Sequence, residues 1–328
     1  MTSRCTRSPE RDLRLLPKAQ PHLHLTGAMR PATQDELAHR RGMHTVLPLP
    51  PTNSWADFQA RYDAARDNVR NAADVIRMVR EAAEDDAAGG CRWLEIQVDP
   101  TSYAPSFGGL RPMLDAVLAG AAEASVPTGV IVASSWTRSG AYALELAELA
   151  VEYAGAGVVG FGLSNDERAG RVADFTDAFR LAADAGLVTT PHSGFYTGPE
   201  HVRDCVELLG ATRIGHGTAA AKDPATLALL AERGVALEIC PTSYPPLGVH
   251  KLDEIPLRPL LDAGVPVVLG SDDPLLFGVD LVGQYGICRA LGLTDDELAG
   301  IAADSVRHSA APDELKRRLL SEVDEWLV

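Results

Sequence analysis

Four short stretches carry residues able to hold a metal ion and move a proton. They are "AQPHLHL" with His22 and His24, "LVTTPHS" with His192, "RIGHG" with His216, and "SDDP" with Asp272 and Asp273. In a strand, residues i and i+2 point to the same side, so His22 and His24 face one interior. Imidazoles turned inward are costly unless bound. Two satisfied structural histidines are the alternative reading of "HLHL" alone. Taken together, the stretches bring histidines and a carboxylate to a place where one divalent ion could be held. That ligand chemistry suits one Zn²⁺ per chain, and an open position on the ion would carry a water acidified toward neutral pH.

Such positioning requires the stretches to end at one face. Short apolar runs at 19–25, 92–98, 129–134, 158–163, 187–193, 213–217, 235–240 and 266–272 read as strands. Helical periodicity fills 54–88, 110–124, 140–155, 171–185, 199–210, 223–233 and the shorter 253–264, with further helices in 281–307 and 312–327. Strand–helix alternation predicts parallel pairing and a closed α/β architecture, a (β/α)₈ TIM barrel. Its catalytic face lies at the strand C-termini, where each of these stretches places its histidine or carboxylate. The connection from Thr26 to Gly90, passing Pro48, Pro50 and Pro51, is long enough to form a lid or pocket wall. A helical excursion without motion is the plainer alternative. Residues 1–16 read as a flexible N-terminal segment and 17–328 as a single domain.

With 328 residues and 46% hydrophobic content the chain can bury a sizeable core. A net charge of −15 argues against nucleic acid and anionic membrane as partners. Five scattered cysteines, Cys5, Cys91, Cys205, Cys240 and Cys288, predict reduced thiols in a cytoplasm rather than disulfides. No apolar run approaches the roughly 18 residues of a membrane helix, and the N-terminus has no apolar core of a secretory signal.

The stretches "LPKAQPHLHLTGAMRP", "ATRIGHGTAA", "LEICPTSYPPLGV" and "LGSDDPLLFG" resemble the adenosine deaminase family of the amidohydrolase superfamily over nearly the whole chain. The resemblance implies zinc ligands His22, His24, His192 and Asp272. It implies that His216 orients or deprotonates the metal's water, and that Asp273 contacts that water and the attacked carbon. Gly27 is expected beside the substrate, and Glu238 is expected to support the metal shell from strand 7.

The departures from the family pattern are uneven. The strand-5 motif, His-Ala-Gly-Glu in the family, is His192-Ser193-Gly194-Phe195 here. That glutamate protonates a purine ring nitrogen, and phenylalanine has no proton to give. A general acid contributes about 10²–10⁴-fold, so ordinary adenosine deamination is expected to be crippled. Thr26 stands where an aspartate would hold the sugar, Asn165 and Gly162 fall in the strand-4 segment, Gln97 follows Glu95 at strand 2, and Tyr244 follows strand 7. The implied metal ligands are retained while those that grip a purine nucleoside have changed. This pattern fits a retargeted enzyme better than a decayed one.

The expected substrate-binding residues are therefore Thr26, Gly27, Asn165, Phe195 and Tyr244. Tyr103, Phe107, Trp136 and Tyr196 also lie on strand-exit loops. Glu95, Asp99, Asp166, Glu167 and Glu200 are acids near strand exits, none singled out as a replacement proton donor. His201 and His250 read as surface residues. The expected activity is zinc-dependent hydrolysis of a C–N bond in a small nitrogen heterocycle or nucleoside-like molecule other than adenosine, in secondary metabolism. A deaminase of a modified purine nucleoside or pterin, and an inactive metal-containing binding protein, are the alternatives. A homodimer is one arrangement open to it.

Overall fold

A computed structural model describes residues 10–46, 48–50 and 53–328. Eight strands form one sheet in the order of the chain, every pair parallel: β1 Lys18–His24, β2 Cys91–Val98, β3 Thr128–Ser135, β4 Val158–Ser164, β5 Val188–Ser193, β6 Arg213–His216, β7 Ala236–Ile239 and β8 Val267–Leu269. The ring closes just beyond β8, where Leu23 bridges Asp272. His24 N donates to Asp272 O and Asp272 N to His22 O, each at 3.0 Å. Helices follow the strands, giving the expected (β/α)₈ barrel.

Period-two alternation builds the interior. Along β1, Ala19 and Leu23 pack outward, while Lys18, Gln20, His22 and His24 form a polar column up the inside. Lys18 closes the floor. Its fully buried ammonium donates to the carbonyls of Leu13 (2.8 Å), Leu16 (2.6 Å) and Gly89 (2.8 Å), one for each proton. Burial pulls its pKa down to about 8, which still leaves it charged at neutral pH. Gly90 is required here: with φ +88, a Cβ would lie 2.4 Å from Arg14 O.

The same contacts correct one expectation. Residues 10–16, read as part of a flexible lead-in, are docked by these carbonyls, with Leu13 and Leu16 buried in the core. Residues 1–9, including Cys5, and Pro51 lie outside the described residues. The four other cysteines are buried free thiols.

The long first connection resolves into α1 Pro31–Arg40, α2 Trp55–Arg66 and α3 Ala72–Ala88. The single helical stretch expected over 54–88 is thus two helices. A capping box between Ser54 and Asp57 starts α2, and the side chain of Asn71 caps α3. Among the described residues no helix is long and apolar enough to cross a membrane.

Candidate active site

At the C-terminal end of the barrel, four side chains turn donor atoms toward one point. His22 Nδ1 lies 2.6 Å from Glu238 Oε2, and His192 Nδ1 lies 2.7 Å from Leu163 O. Each Nδ1–H therefore donates outward, and the Nε2 lone pair is left facing in. His24 Nε2 stands 3.2 Å from His192 Nε2 and 3.3 Å from Asp272 Oδ1, and His22 Nε2 stands 3.4 Å from the same Oδ1. Ligands about 2.1 Å from a tetrahedral ion stand roughly 3.4 Å apart, so these donors have the spacing of an ion's coordination shell. His22 Nε2 is buried and has no hydrogen-bond partner in the chain, which is the state of an atom built to meet a cation.

Electrostatics divide the cluster. Burial pulls His192 well below the usual histidine range, as does proximity to His22, His24 and His216. Burial likewise pulls His216 down to about 3. His22 is opposite: burial pulls it down, but the carboxylates of Asp272 and Glu238 outweigh this and raise it to about 10, so a positive charge is favoured at Nε2, the place a bound cation would take instead of a proton. Burial pushes Asp273 well above the usual carboxylate range, and the neighbouring charge of Asp272 adds to it. Cys240 also lies near His216 and Asp272, but burial holds its thiol protonated, a poor ligand state.

Supporting charge runs down the barrel. Glu238 on β7 accepts from Thr190 Oγ1 at 2.9 Å and Arg213 Nε at 2.6 Å. Arg213 on β6 reaches Glu95 on β2 at 2.5 Å, and Glu95 also accepts from Trp93 Nε1 and Ala310 N. Glu95 is thus inside the lower barrel rather than at a strand exit, because its partner Arg213 is there.

The backbone is strained at this face. Among the described residues, three other than glycine have left-handed φ: Asn165 (73°), His216 (67°) and Asp272 (60°). All three line the cavity. Such conformations cost about 1–3 kcal/mol each and persist only where surrounding contacts enforce them.

The cavity holds about 1100 Å³ of empty space, mouth included. His24, His192, His216, Asp272 and Asp273 contribute to its lining, together with Asn165 and Phe195. The Phe195 ring packs 4.6 Å from His216. Tyr244 is placed otherwise than expected: fully buried, it stands behind Phe195 at 5.6 Å, its hydroxyl accepting from Cys240 N. Thr26 is also withdrawn, its Oγ1 2.5 Å from Tyr103 OH. Gly27 abuts Asp273 so closely that a Cβ would stand 1.9 Å from Oδ1. That glycine makes room for the carboxylate rather than lining the cavity.

Of the aromatic residues on strand-exit loops, Tyr103 and Tyr196 line the cavity. Trp136 is buried and donates to His192 O at 2.9 Å. Asp99 and Glu167 are also in the wall. Glu167 Oε1 accepts from Tyr196 N and Thr197 N, both at 2.6 Å, and so fixes the turn that carries Phe195. His201 is half-buried rather than on the surface, with Nδ1 2.7 Å from Ser193 Oγ.

The wall also contains residues that were not singled out. Trp55, Phe58, Gln59, Tyr62 and Arg66 of α2 cover one side. Their spacing, i, i+3, i+4, i+7 and i+11, is a helical stripe legible in "WADFQARYDAAR". Phe277 completes it, stacked on Phe58 at 5.7 Å and 3°.

A family model described as adenosine deaminase matches residues 17–326. A putative adenosine/adenine deaminase of Streptomyces coelicolor is 51% identical, covering 97% of this chain and 98% of that protein. The aminodeoxyfutalosine deaminase of Streptomyces avermitilis is 36% identical over 95% of this chain and 91% of its own. The crystal structure of adenine deaminase from Arthrobacter aurescens superposes with a TM-score of 0.85 at 29% identity, covering 95% of this chain and 99% of that one.

Proposed function

The chain belongs to the adenosine deaminase family, and from that premise we propose that it is a zinc-dependent hydrolase that removes an amino group from a nucleoside-like nitrogen heterocycle other than ordinary adenosine. The observation that carries this reading is the convergence of His22, His24 and His192 Nε2 with Asp272 Oδ1 at the cavity floor. These four side chains would hold the ion. When bound, Zn²⁺ supplies Lewis-acid chemistry, lowering the pKa of a water.

The chain's own residues supply the rest. A neutral His216, beside Asp272 at 4.0 Å, can take a proton from the attacking water. Asp273, forced against Gly27, presents its carboxyl at the same floor. The new C–O bond forms at the amino-bearing carbon, the C–N bond breaks, and ammonia leaves with a proton from the water. Phe195 covers His216 and offers the ring a flat apolar surface but no proton. The substrate ring must therefore be electrophilic without help from position 195. The aromatic stripe of α2 and Phe277 shields the reaction from bulk water.

Elemental analysis of purified protein together with an ammonia-release screen of amino-substituted heterocycles tests the reading. One zinc per chain and release from a substrate preferred over adenosine are expected. Protein that neither contains nor takes up zinc, or that prefers adenosine, would overturn it.

A further inference from the structure

We infer that the cavity wall formed by Arg66 of α2 and Arg138 of the loop after β3 is a subsite for an anionic group, phosphate or carboxylate, carried by the substrate away from its reacting ring. The inference rests on the proposed function and adds the charge of the substrate to it.

Both arginines line the cavity. Arg66 pairs at its Nη2 with Asp63 at 2.8 Å, on the outer side, and that carboxylate is 41% exposed. Its Nε–H is buried and has no acceptor in the chain. A buried guanidinium donor without a partner is unfavourable, so an acceptor from outside the chain is the natural complement. Among the described residues Arg138 has no carboxylate within ion-pair distance; it lies over the Tyr142 ring at 5.5 Å. Burial pushes the carboxyl of half-buried Asp99 up; hydrogen bonding to Thr101 and then the charges of Arg138 and Arg66 draw it down. Asp99 spends one oxygen on Thr101 N at 2.9 Å. Asp99 is thus within reach of both charges, while Asp63 meets Arg66 from the outer side. Ser102, Ser135 and Thr137 line the same cavity, the hydroxyls of the last two 2.8 Å apart. Arginine with neighbouring hydroxyls is the donor set that grips an oxyanion.

Calorimetric titration of the zinc-loaded protein with inosine, inosine 5′-monophosphate and inosine 5′-carboxylate tests this, using deaminated rings that are not turned over. At least one of the two anionic ligands should bind about 10-fold or more tightly than inosine, and which one names the anion. Arg138→Ala, an exposed position where folding is not at stake, should abolish most of that preference; Arg138→Lys should keep part of it; Arg66→Ala should weaken it. Equal affinity for all three ligands overturns the anionic subsite but leaves the deaminase reading standing. A preference unchanged in Arg138→Ala and Arg66→Ala overturns it too, assigning the anion to another cation. Failure of every ligand to bind overturns the inference, while the ammonia screen decides the wider reading separately.

Discussion

Glu238 and His22 are joined by a 2.6 Å contact between Oε2 and Nδ1, at the top of a charge ladder that continues through Arg213 to Glu95. The ladder spans β7, β1, β6 and β2, and all four side chains are buried. Glu238→Gln keeps the shape and removes the charge that fixes the His22 tautomer. About 10–100-fold weaker zinc binding is expected, read by competition with a chelator. Glu238→Ala leaves Arg213 with one carboxylate instead of two and should cost about 3–5 kcal/mol in urea unfolding.

Removing the ion should loosen the fold as well as stop the reaction. Without it, the histidine cluster and Asp272 lose their common partner. A chelator is expected to lower the melting temperature, and added zinc to restore it in a concentration-dependent way. The gain should follow mass action, about 2.7 kcal/mol at a free concentration 100 times the dissociation constant.

Phe195→Glu returns an acid to the turn that Glu167 holds in place. If the missing proton is what blocks adenosine, ammonia release from adenosine should rise by about 10²-fold or more. No rise would show that ring and sugar recognition have diverged as well.

Phe58→Ala removes the ring stacked on Phe277 at the cavity wall. The expected result is a raised KM with kcat little changed, because the wall contacts substrate and transition state alike. Steady-state kinetics on the substrate found by screening would show it.

Asp86 gives the fold a pH dependence. Burial raises its carboxyl to about 7, with the charges of Asp280 and Asp85 adding to the effect and Lys18 opposing it. In the unfolded chain it returns to about 3.9. The protonated form is therefore favoured by folding. Its contribution is complete below about pH 4 and is lost as pH rises through about 7. Asp86→Asn should remove that loss, so its advantage over wild type grows across this window by at most about 1.4 kcal/mol per pH unit. Urea midpoints at several pH values check it.

The strands were legible because each is a short apolar run bounded by helical periodicity, and the histidines announced themselves by sitting at strand ends. Depth was harder to read. Thr26 and Tyr244 sit near the site in sequence, yet both are buried, their hydroxyls engaged by Tyr103 and Cys240. Glu95 looked like a strand-exit acid because nothing local reveals Arg213, 118 residues away, as its partner. The α2 wall was the reverse case. Its stripe was visible, but a helix with one apolar face is normally assigned to the core, and only packing shows that this one faces a cavity.

The left-handed trio Asn165, His216 and Asp272 has a consequence for the engineering of the molecule. All three torsions gather at the rim of one cavity, so glycine at Asn165 would relax the local backbone there while adding freedom to the unfolded chain, two effects that oppose each other.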